Sequence, residues 1–210
     1  MILASQSPRR RELLADAGFE LEVVPAHIDE SPRTGETPVE LVGRLAAEKA
    51  EAVRAALDRA PADGLLVAAD TIVWVGDAAL GKPADAADAA RMLRALSGRT
   101  HHVSTGVCAL ALEPDGRERA ARRFVETTAV TFWELTDAQI EAYVACGEPL
   151  DKAGAYGIQG AGRLLVRGID GDYSNVVGLP VARLVRELGR LVAEGTDLVA
   201  DAIRIGGAHA

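Results

Sequence analysis

A short polar segment near the N-terminus places hydroxyl and guanidinium groups where a helix should begin. Ser5-Gln6-Ser7 follows an apolar start, and Pro8 opens a predicted helix whose first turn carries Arg9, Arg10 and Arg11. A helix N-terminus attracts anions, and arginines there oppose the helix dipole unless a ligand neutralises them. The segment therefore indicates a phosphate site, although a solvated run of arginines would explain the same residues equally well. It lacks the glycines and the Lys-Ser/Thr pair of a Walker loop.

Two carboxylate positions suggest metal or acid–base chemistry. Asp70 interrupts the most apolar predicted strand, residues 65–75. Burying a carboxylate is costly unless it is paired, protonated or metal-bound. Because Asp70 is expected at the end of a strand and facing cations, a metal-bound or catalytic role is favoured. The alternative is an Asp that accepts backbone hydrogen bonds. Asp29-Glu30, in a polar loop, offers a second carboxylate, and together they would suit Mg²⁺, which takes one or two carboxylates plus substrate phosphates.

Lysine is scarce in a chain that is rich in arginine. Of 23 basic residues only Lys49, Lys82 and Lys152 are lysines. An ammonium and a guanidinium are not equivalent, so retained lysines can mark chemistry, but composition alone favours chance.

Gln159 lies in a glycine-rich loop, where its amide could read a base edge. Taken by itself, this loop is better explained as an ordinary surface turn.

Composition excludes several classes of protein. The chain has 210 residues, a formal charge of −8, 49% hydrophobic and 26% charged residues, which are ordinary globular values. No apolar run approaches the roughly 18 residues of a membrane span, and the acidic balance argues against a general nucleic-acid binder. Cys108 and Cys146 lack metal-ligand spacing and suit a reducing, cytoplasmic compartment better than a disulfide scaffold. His101-His102 is expected on an exposed strand rather than in a zinc site.

The elements that must position these residues alternate between strand and helix. Helices are predicted from Pro8, Pro38, Asp85, Thr136 and Pro180, with capping boxes at Thr37 and Thr136. Long strand-like runs at 102–112 and 122–133 predict an antiparallel pair inside a mixed sheet. We therefore expect one α/β domain over residues 1–194, followed by a loosely attached tail, residues 195–210.

Eight segments in order make the chain resemble the Maf family (septum-formation-inhibitor-like) of nucleoside triphosphate pyrophosphatases. The matching segments are LASQSPRRRELL at 3–14, DE at 29–30, RLAAEKA at 44–50, AADT at 68–71, LGKP at 80–83, MLRALSGRTHHV at 92–103, EPLDKAGAYGIQG at 148–160 and GDYSNVVGLP at 171–180. The resemblance covers residues 1 to about 190 and leaves the tail outside it. It implies a mixed twisted sheet flanked by helices, of ITPase-like architecture, in a homodimer.

The resemblance also implies a reaction and roles for individual residues. The reaction is hydrolysis of a nucleoside triphosphate to the monophosphate and pyrophosphate, with a divalent metal such as Mg²⁺ or Mn²⁺. Asp70 would be the general base and a metal ligand, and Glu30 a second metal-associated carboxylate. The triphosphate would be held by Ser5, Arg9, Arg10, Lys49 and Lys82, while Arg9, Thr71 and Gln159 match positions linked to substrate choice. The AYGIQG form resembles the subgroup that acts on dTTP and UTP, as opposed to 7-methyl-GTP.

Two other functions remain open at this point. A nucleotide-binding regulator of cell division or septum formation with little turnover would need the same phosphate pocket. A nucleotidyltransferase would need an acceptor pocket, which the sequence neither shows nor excludes. Metal-dependent conversion of dTTP to dTMP and pyrophosphate separates hydrolysis from the regulator. A membrane or nucleic-acid partner is not expected.

Overall fold

The computed structural model describes residues 1–192 and 195–206, which form a mixed α/β structure. Its strands are β1 (Ile2–Leu3), β2 (Glu22–Val23), β3 (Leu65–Val75), β4 (Ala78–Leu80), β5 (Thr100–Leu112), β6 (Glu118–Phe132) and β7 (Val166–Asp170). Its helices are α1 (Pro8–Asp16), α2 (Pro38–Ala55), α3 (Ala86–Leu96), α4 (Asp137–Ala145), α5 (Tyr173–Val177), α6 (Val181–Gly189) and α7 (Leu198–Gly206). Three short 3-10 turns, Glu148–Asp151, Ala153–Ala155 and Gly160–Leu164, lie between α4 and β7.

The strands of the described residues form one seven-stranded mixed sheet. Its order is β2-β1-β3-β5-β6-β7, with β4 paired to the far end of β3. β1 runs parallel to both β2 and β3, and the other pairings are antiparallel. The predicted antiparallel pair is confirmed as the long β5–β6 hairpin, and the α/β class with a mixed sheet is confirmed as well.

Helices cover both faces of the sheet, and β3 contributes side chains to each. Its even-numbered residues, such as Leu66, Ala68 and Ile72, pack with α2. Its odd-numbered residues pack on the opposite face, the first three with α1 and α6 and Val73 with α3. Because side chains alternate along a strand, Asp70 and Thr71 point to opposite faces of the sheet.

The local signals for helix ends are largely confirmed. The side chains of Thr37 and Thr136 form the predicted capping boxes, and Asp85 caps α3. α2 ends at Ala55 rather than near Ala60. Ala60 precedes Pro61, and a residue before proline is disfavoured in helical conformation.

Several elements differ from the predictions in length or were not predicted. The expected strand over residues 19–24 is reduced to β2, and the strand expected at 164–169 begins at Val166, because the 3-10 turn Gly160–Leu164 precedes it. α5 is unpredicted and is capped by the Asp172 carboxylate. Within the expected tail, α7 packs Leu198 against the core cluster of α1 and α6. Residues 193–194 and 207–210, which include the end of that tail, lie outside the described residues.

One strand residue is placed differently from the expectation. His101 is fully buried, and His102 is half-buried and stacks on Trp74. The expectation of two exposed histidines is therefore wrong for His101, because the rings of Phe132 on β6 and Tyr156 in the segment after α4 pack against it, in a core cluster that α3 completes with aliphatic side chains. Over residues 1–192 and 195–206, none of the helices has the length and apolarity required to cross a membrane.

Candidate active site

Asp70 is paired with a lysine from the helix that crosses its face of the sheet. Lys49 Nζ lies 2.5 Å from Asp70 Oδ1 and 2.8 Å from Glu30 Oε1. The Lys49 side chain is 11% exposed and that of Asp70 16%, whereas the Glu30 side chain is 59% exposed. The ammonium thus offsets the cost of burying Asp70 and draws Glu30, from the long loop before α2, to the same point.

A glycine opposite Asp70 allows α2 to approach the sheet. Gly106 on β5 is the register partner of Asp70. A Cβ atom at Gly106 would lie 2.1 Å from the carbonyl oxygen of Val42 on α2. No side chain fits there, so glycine sets the close contact between α2 and β5 from which Lys49 reaches Asp70.

The loop that carries Glu30 is attached to α2 by Arg44. The Arg44 guanidinium donates from Nε and Nη2 to the two carboxylate oxygens of Glu36, at 2.6 and 2.8 Å. Nη2 also donates to the backbone carbonyl of Ser31, at 3.1 Å, next to Glu30 in the chain. This forked pairing holds the pKa of Glu36 at about 2, chiefly through the Arg44 hydrogen bonds. Arg44 therefore restricts where Glu30 can lie.

Arg10 is buried beneath the N-terminal loop and joins three parts of the fold. Its Nη1 donates to Ser5 Oγ at 3.1 Å and to the carbonyl of Ala69 at 2.9 Å. Its Nε donates to the carbonyl of Gly178 at 2.8 Å, and Nη2 donates to Thr71 Oγ1 at 2.8 Å. Burial lowers the pKa of Arg10, and the charge of Asp70 opposes that shift. Four of its five N–H donors are thus used within the protein.

Thr71 continues this buried network across the sheet. Its Oγ1 lies 2.9 Å from Thr105 Oγ1, and Thr105 in turn donates to the backbone carbonyl of Asn175 at 3.3 Å. The Asn175 side chain donates to the carbonyl of Val103 and to Thr128 Oγ1, both at 3.0 Å. The hydroxyl of Thr71 is therefore held in place by its neighbours.

Arg9 and Lys152 meet at one carboxylate. Arg9 Nη1 lies 3.5 Å from Asp151 Oδ2, and Lys152 Nζ lies 2.6 Å from Asp151 Oδ1. Lys152 also donates to the carbonyl of Glu148 at 2.7 Å, and its stem lies against Gly157, where a Cβ would be 2.9 Å from Lys152 Cε. Lys152, which had no role from the sequence, therefore supports the loop that carries Gln159.

Lys82 and Gln159 are both exposed. Over the described part of the chain, neither side chain makes a hydrogen bond or ion pair. Their backbones are linked indirectly, because the N–H of Gly154 donates to the carbonyl of Gly81 at 3.0 Å. Both side chains are thus available to a ligand, and the structure brings together Ser5, Arg10 and Thr71 in one group and Glu30, Lys49 and Asp70 in another.

Asp70 and Glu30 offer carboxylate oxygens to a divalent cation. Lys49 contacts one oxygen of Asp70 and one of Glu30, which leaves the second oxygen of each carboxylate without a protein partner among the described residues. Those residues contain no group of three or more acidic, His or Cys side chains that could hold a metal by itself. Two carboxylates fit Mg²⁺ when substrate phosphates complete its shell.

Arg44 and Thr105 support these residues, but the sequence did not single them out. Arg44 falls inside the matched segment RLAAEKA, which was the available signal. Thr105 had no signal, because its partner is a backbone carbonyl distant in sequence.

Comparison with known proteins identifies a family and similar sequences. Residues 1–191 match the family described as Maf-like protein. A dTTP/UTP pyrophosphatase of Bacillus cytotoxicus is 49% identical over 187 residues, which cover 89% of this chain and 93% of that protein. A dTTP/UTP pyrophosphatase of Geobacillus sp. (strain WCH70) is 49% identical over 91% of this chain and 97% of its own length. A third, from Bacillus cereus (strain AH820), is 48% identical over 90% of this chain and 93% of its own length.

Proposed function

This chain belongs to the Maf-like protein family, and on that premise we propose that it is a nucleoside triphosphate pyrophosphatase acting on dTTP and UTP. Modified pyrimidine triphosphates belong to the same substrate class. The observation that carries the proposal is the part-buried Asp70 paired to Lys49 beside Glu30. Relatives that carry the dTTP/UTP pyrophosphatase name support the choice of substrate.

The reaction assigned to Asp70 is the activation of water. We propose that the Asp70 carboxylate accepts a proton as the water oxygen bonds to the α-phosphorus. The bond between the α-phosphorus and the α–β bridging oxygen breaks, and that oxygen leaves with pyrophosphate. The products are the nucleoside monophosphate and pyrophosphate.

The cations of the site have separate tasks in this account. Lys49, Lys82 and Arg9 neutralise the charge that grows on the departing pyrophosphate. Because most N–H groups of Arg10 donate hydrogen bonds within the protein, we assign Arg10 mainly to holding Ser5 and Thr71 in position. Asp70 and Glu30 would hold a divalent cation such as Mg²⁺ or Mn²⁺, which when bound supplies electrophilic stabilisation of the phosphate charge.

We assign recognition of the nucleotide's pyrimidine ring to the loop after α4. Gln159 is exposed, and its amide offers both a donor and an acceptor, which suits the edge of a pyrimidine. Arg9 and Thr71 are the other positions that we assign to substrate choice. Thr71 is held by Arg10 and Thr105, so it acts from a fixed position.

A panel of nucleoside triphosphates tests the proposal. The purified protein is incubated with dTTP, UTP, dCTP, dATP and GTP, with Mg²⁺ or Mn²⁺, and pyrophosphate release is measured. We expect the highest kcat/KM for dTTP and UTP, and loss of turnover when a chelator removes the metal. A preference for purine triphosphates would contradict the role of Gln159. Nucleotide binding without turnover would favour the alternative function, a nucleotide-binding regulator of cell division. A homodimer and a cytoplasmic location remain predictions, and light scattering tests the first.

A further inference from the structure

The loop between α4 and β7 has only short 3-10 turns, but hydrogen bonds hold it at several points. The Glu148 carboxylate accepts hydrogen bonds from the N–H groups of Ala161 and Gly162, at 2.9 and 3.4 Å. The hydroxyl of Tyr143 accepts one from the N–H of Gly157, at 3.1 Å. Gln159 lies between these attachments, so its position depends on them.

The backbone of this loop is strained at one residue. Ala155 has a φ of +58° and is the only non-glycine residue with positive φ over residues 1–192 and 195–206. Its neighbour Gly154 has a φ of +69°, and a Cβ there would lie 2.8 Å from a Val73 methyl group. An L-residue adopts this conformation only when its surroundings enforce it. Something in the fold must therefore hold Ala155 in place.

The next residue provides that hold through a buried histidine. Tyr156 is 5% exposed, and its hydroxyl lies 2.8 Å from Nε2 of His101, which is fully buried on β5. The rings of Tyr156, His101 and Phe132 pack edge to face, with centroids 4.8 to 5.2 Å apart. The side chain of Tyr156 is thus fixed both by packing and by one hydrogen bond.

The direction of that hydrogen bond follows from burial. Burial lowers the pKa of His101 to about 4, so the imidazole is neutral at pH 7 and one ring nitrogen is an acceptor. The Tyr156 hydroxyl has no other partner among the described residues, so its proton is satisfied when Nε2 accepts it. Nδ1 then carries the ring proton, and it has no partner in the described part of the chain. Among the described residues, the bond to Tyr156 is therefore the one hydrogen bond that the His101 side chain makes.

We propose that His101 is a positioning residue for base recognition, which holds Tyr156 and thereby keeps Ala155 in its strained conformation and Gln159 directed at a pyrimidine. His101 does not touch the substrate in this proposal. The inference rests on the proposed function and extends it to a residue buried beneath the loop. It assigns the discrimination between pyrimidine and purine triphosphates to an internal hydrogen bond as well as to the exposed amide.

Removal of one oxygen atom tests the proposal directly. Tyr156→Phe keeps the ring and deletes the hydroxyl. We expect hydrogen–deuterium exchange in the peptide 153–162 to become about 3- to 10-fold faster, the range that the loss of one hydrogen bond produces. The ratio of kcat/KM for dTTP to that for dATP should fall by a similar factor, with the change in KM for dTTP larger than the change in kcat.

Variants that keep the hydrogen-bond acceptor or remove the backbone strain distinguish a positioning role of His101 from a general effect on stability. His101→Gln retains an acceptor close to the place of Nε2 and should preserve most of the selectivity, whereas His101→Leu should lose it. Ala155→Gly removes the strain, because glycine adopts positive φ without steric cost. In the Tyr156→Phe background it should therefore reduce the loss of selectivity. His102→Gln, on the opposite face of β5, and Tyr173→Phe, an exposed tyrosine, are matched controls that should leave loop exchange unchanged.

The two measurements distinguish failure of this inference from failure of the proposed function. Unchanged exchange and unchanged selectivity in Tyr156→Phe, with a wild-type enzyme that prefers dTTP, would overturn the role of His101 and leave the function intact. A wild-type protein that releases no pyrophosphate from dTTP or UTP would overturn the proposed function. Even then, faster exchange confined to the loop in Tyr156→Phe would support the anchoring and unchanged exchange would refute it.

Discussion

Lys49 Nζ and Asp70 Oδ1 are 2.5 Å apart, although one comes from a helix and the other from the sheet beneath it. The contact depends on Gly106, which has no side chain to keep α2 away from the strand that pairs with Asp70. It leaves the second Asp70 oxygen without a protein partner among the described residues. A single lysine thus makes burial of the proposed base possible without consuming both of its oxygens.

Replacement of Lys49 should affect both stability and substrate binding. Lys49→Met leaves the part-buried Asp70 without its cation, and we expect a loss of about 2 kcal/mol in the free energy of unfolding, the worth of a hydrogen bond between charged groups. Lys49→Arg keeps the charge but is too bulky for the same place between two carboxylates, so the KM for dTTP should still rise. Urea unfolding at pH 7 and steady-state kinetics measure the two effects. Wild-type kinetics in Lys49→Met would show that the pair is only structural.

Arg44 should influence catalysis without contacting substrate. Arg44→Ala releases Glu36 and Ser31, so Glu30 is no longer held near Lys49, and we expect kcat/KM for dTTP to fall by roughly tenfold with the fold intact, about the worth of one charged hydrogen bond. Arg44→Lys should retain part of the activity. Arg33→Ala is a suitable control, because Arg33 also pairs with α2 but is 66% exposed. Equal activities of Arg44→Ala and the wild type would exclude this role.

Insertion of a methyl group at Gly106 should disturb the contact between α2 and β5. Gly106→Ala places a Cβ 2.1 Å from the Val42 carbonyl, so helix or strand must move. We expect a loss of about 1 to 3 kcal/mol in unfolding free energy, as for overpacked cores, and a larger loss of turnover than of nucleotide binding. Gly168→Ala on β7 is the control, since a Cβ there would meet nothing within 4 Å. The prediction fails if both variants unfold at the same urea concentration.

His101 should make stability depend on pH. Its pKa is about 4 in the folded protein against 6.5 ordinarily, so between these values the unfolded chain binds a proton that the folded protein does not. Stability therefore falls as the pH drops from 6.5 to 4, by up to about 3 kcal/mol, and is unaffected above pH 7. In His101→Gln this component is absent, whereas His102→Gln should retain it. Urea unfolding at pH 7, 5.5 and 4.5 measures it, and identical slopes in both variants would contradict it.

The elements with local signals were predictable from the sequence, and those set by tertiary contact were not. The capping boxes at Thr37 and Thr136 and the apolar run of β3 placed two helices and the central strand. His101 was misplaced because nothing local shows that Phe132 and Tyr156 close over it. The pairing of Asp70 with a cation was expected, but its partner Lys49 and the attachment of Glu30 by Arg44 follow only from how α2 lies on the sheet.

The position of the bond that breaks shows whether Asp70 directs water at the α-phosphorus. Hydrolysis of dTTP in water enriched with ¹⁸O, followed by mass spectrometry of the products, shows which phosphorus the water attacks. We predict that the label enters dTMP and is absent from pyrophosphate, and that Asp70→Asn binds dTTP but forms neither product. Label in the pyrophosphate, release of inorganic phosphate alone, or near-normal turnover by Asp70→Asn would contradict attack at the α-phosphorus with Asp70 as the base.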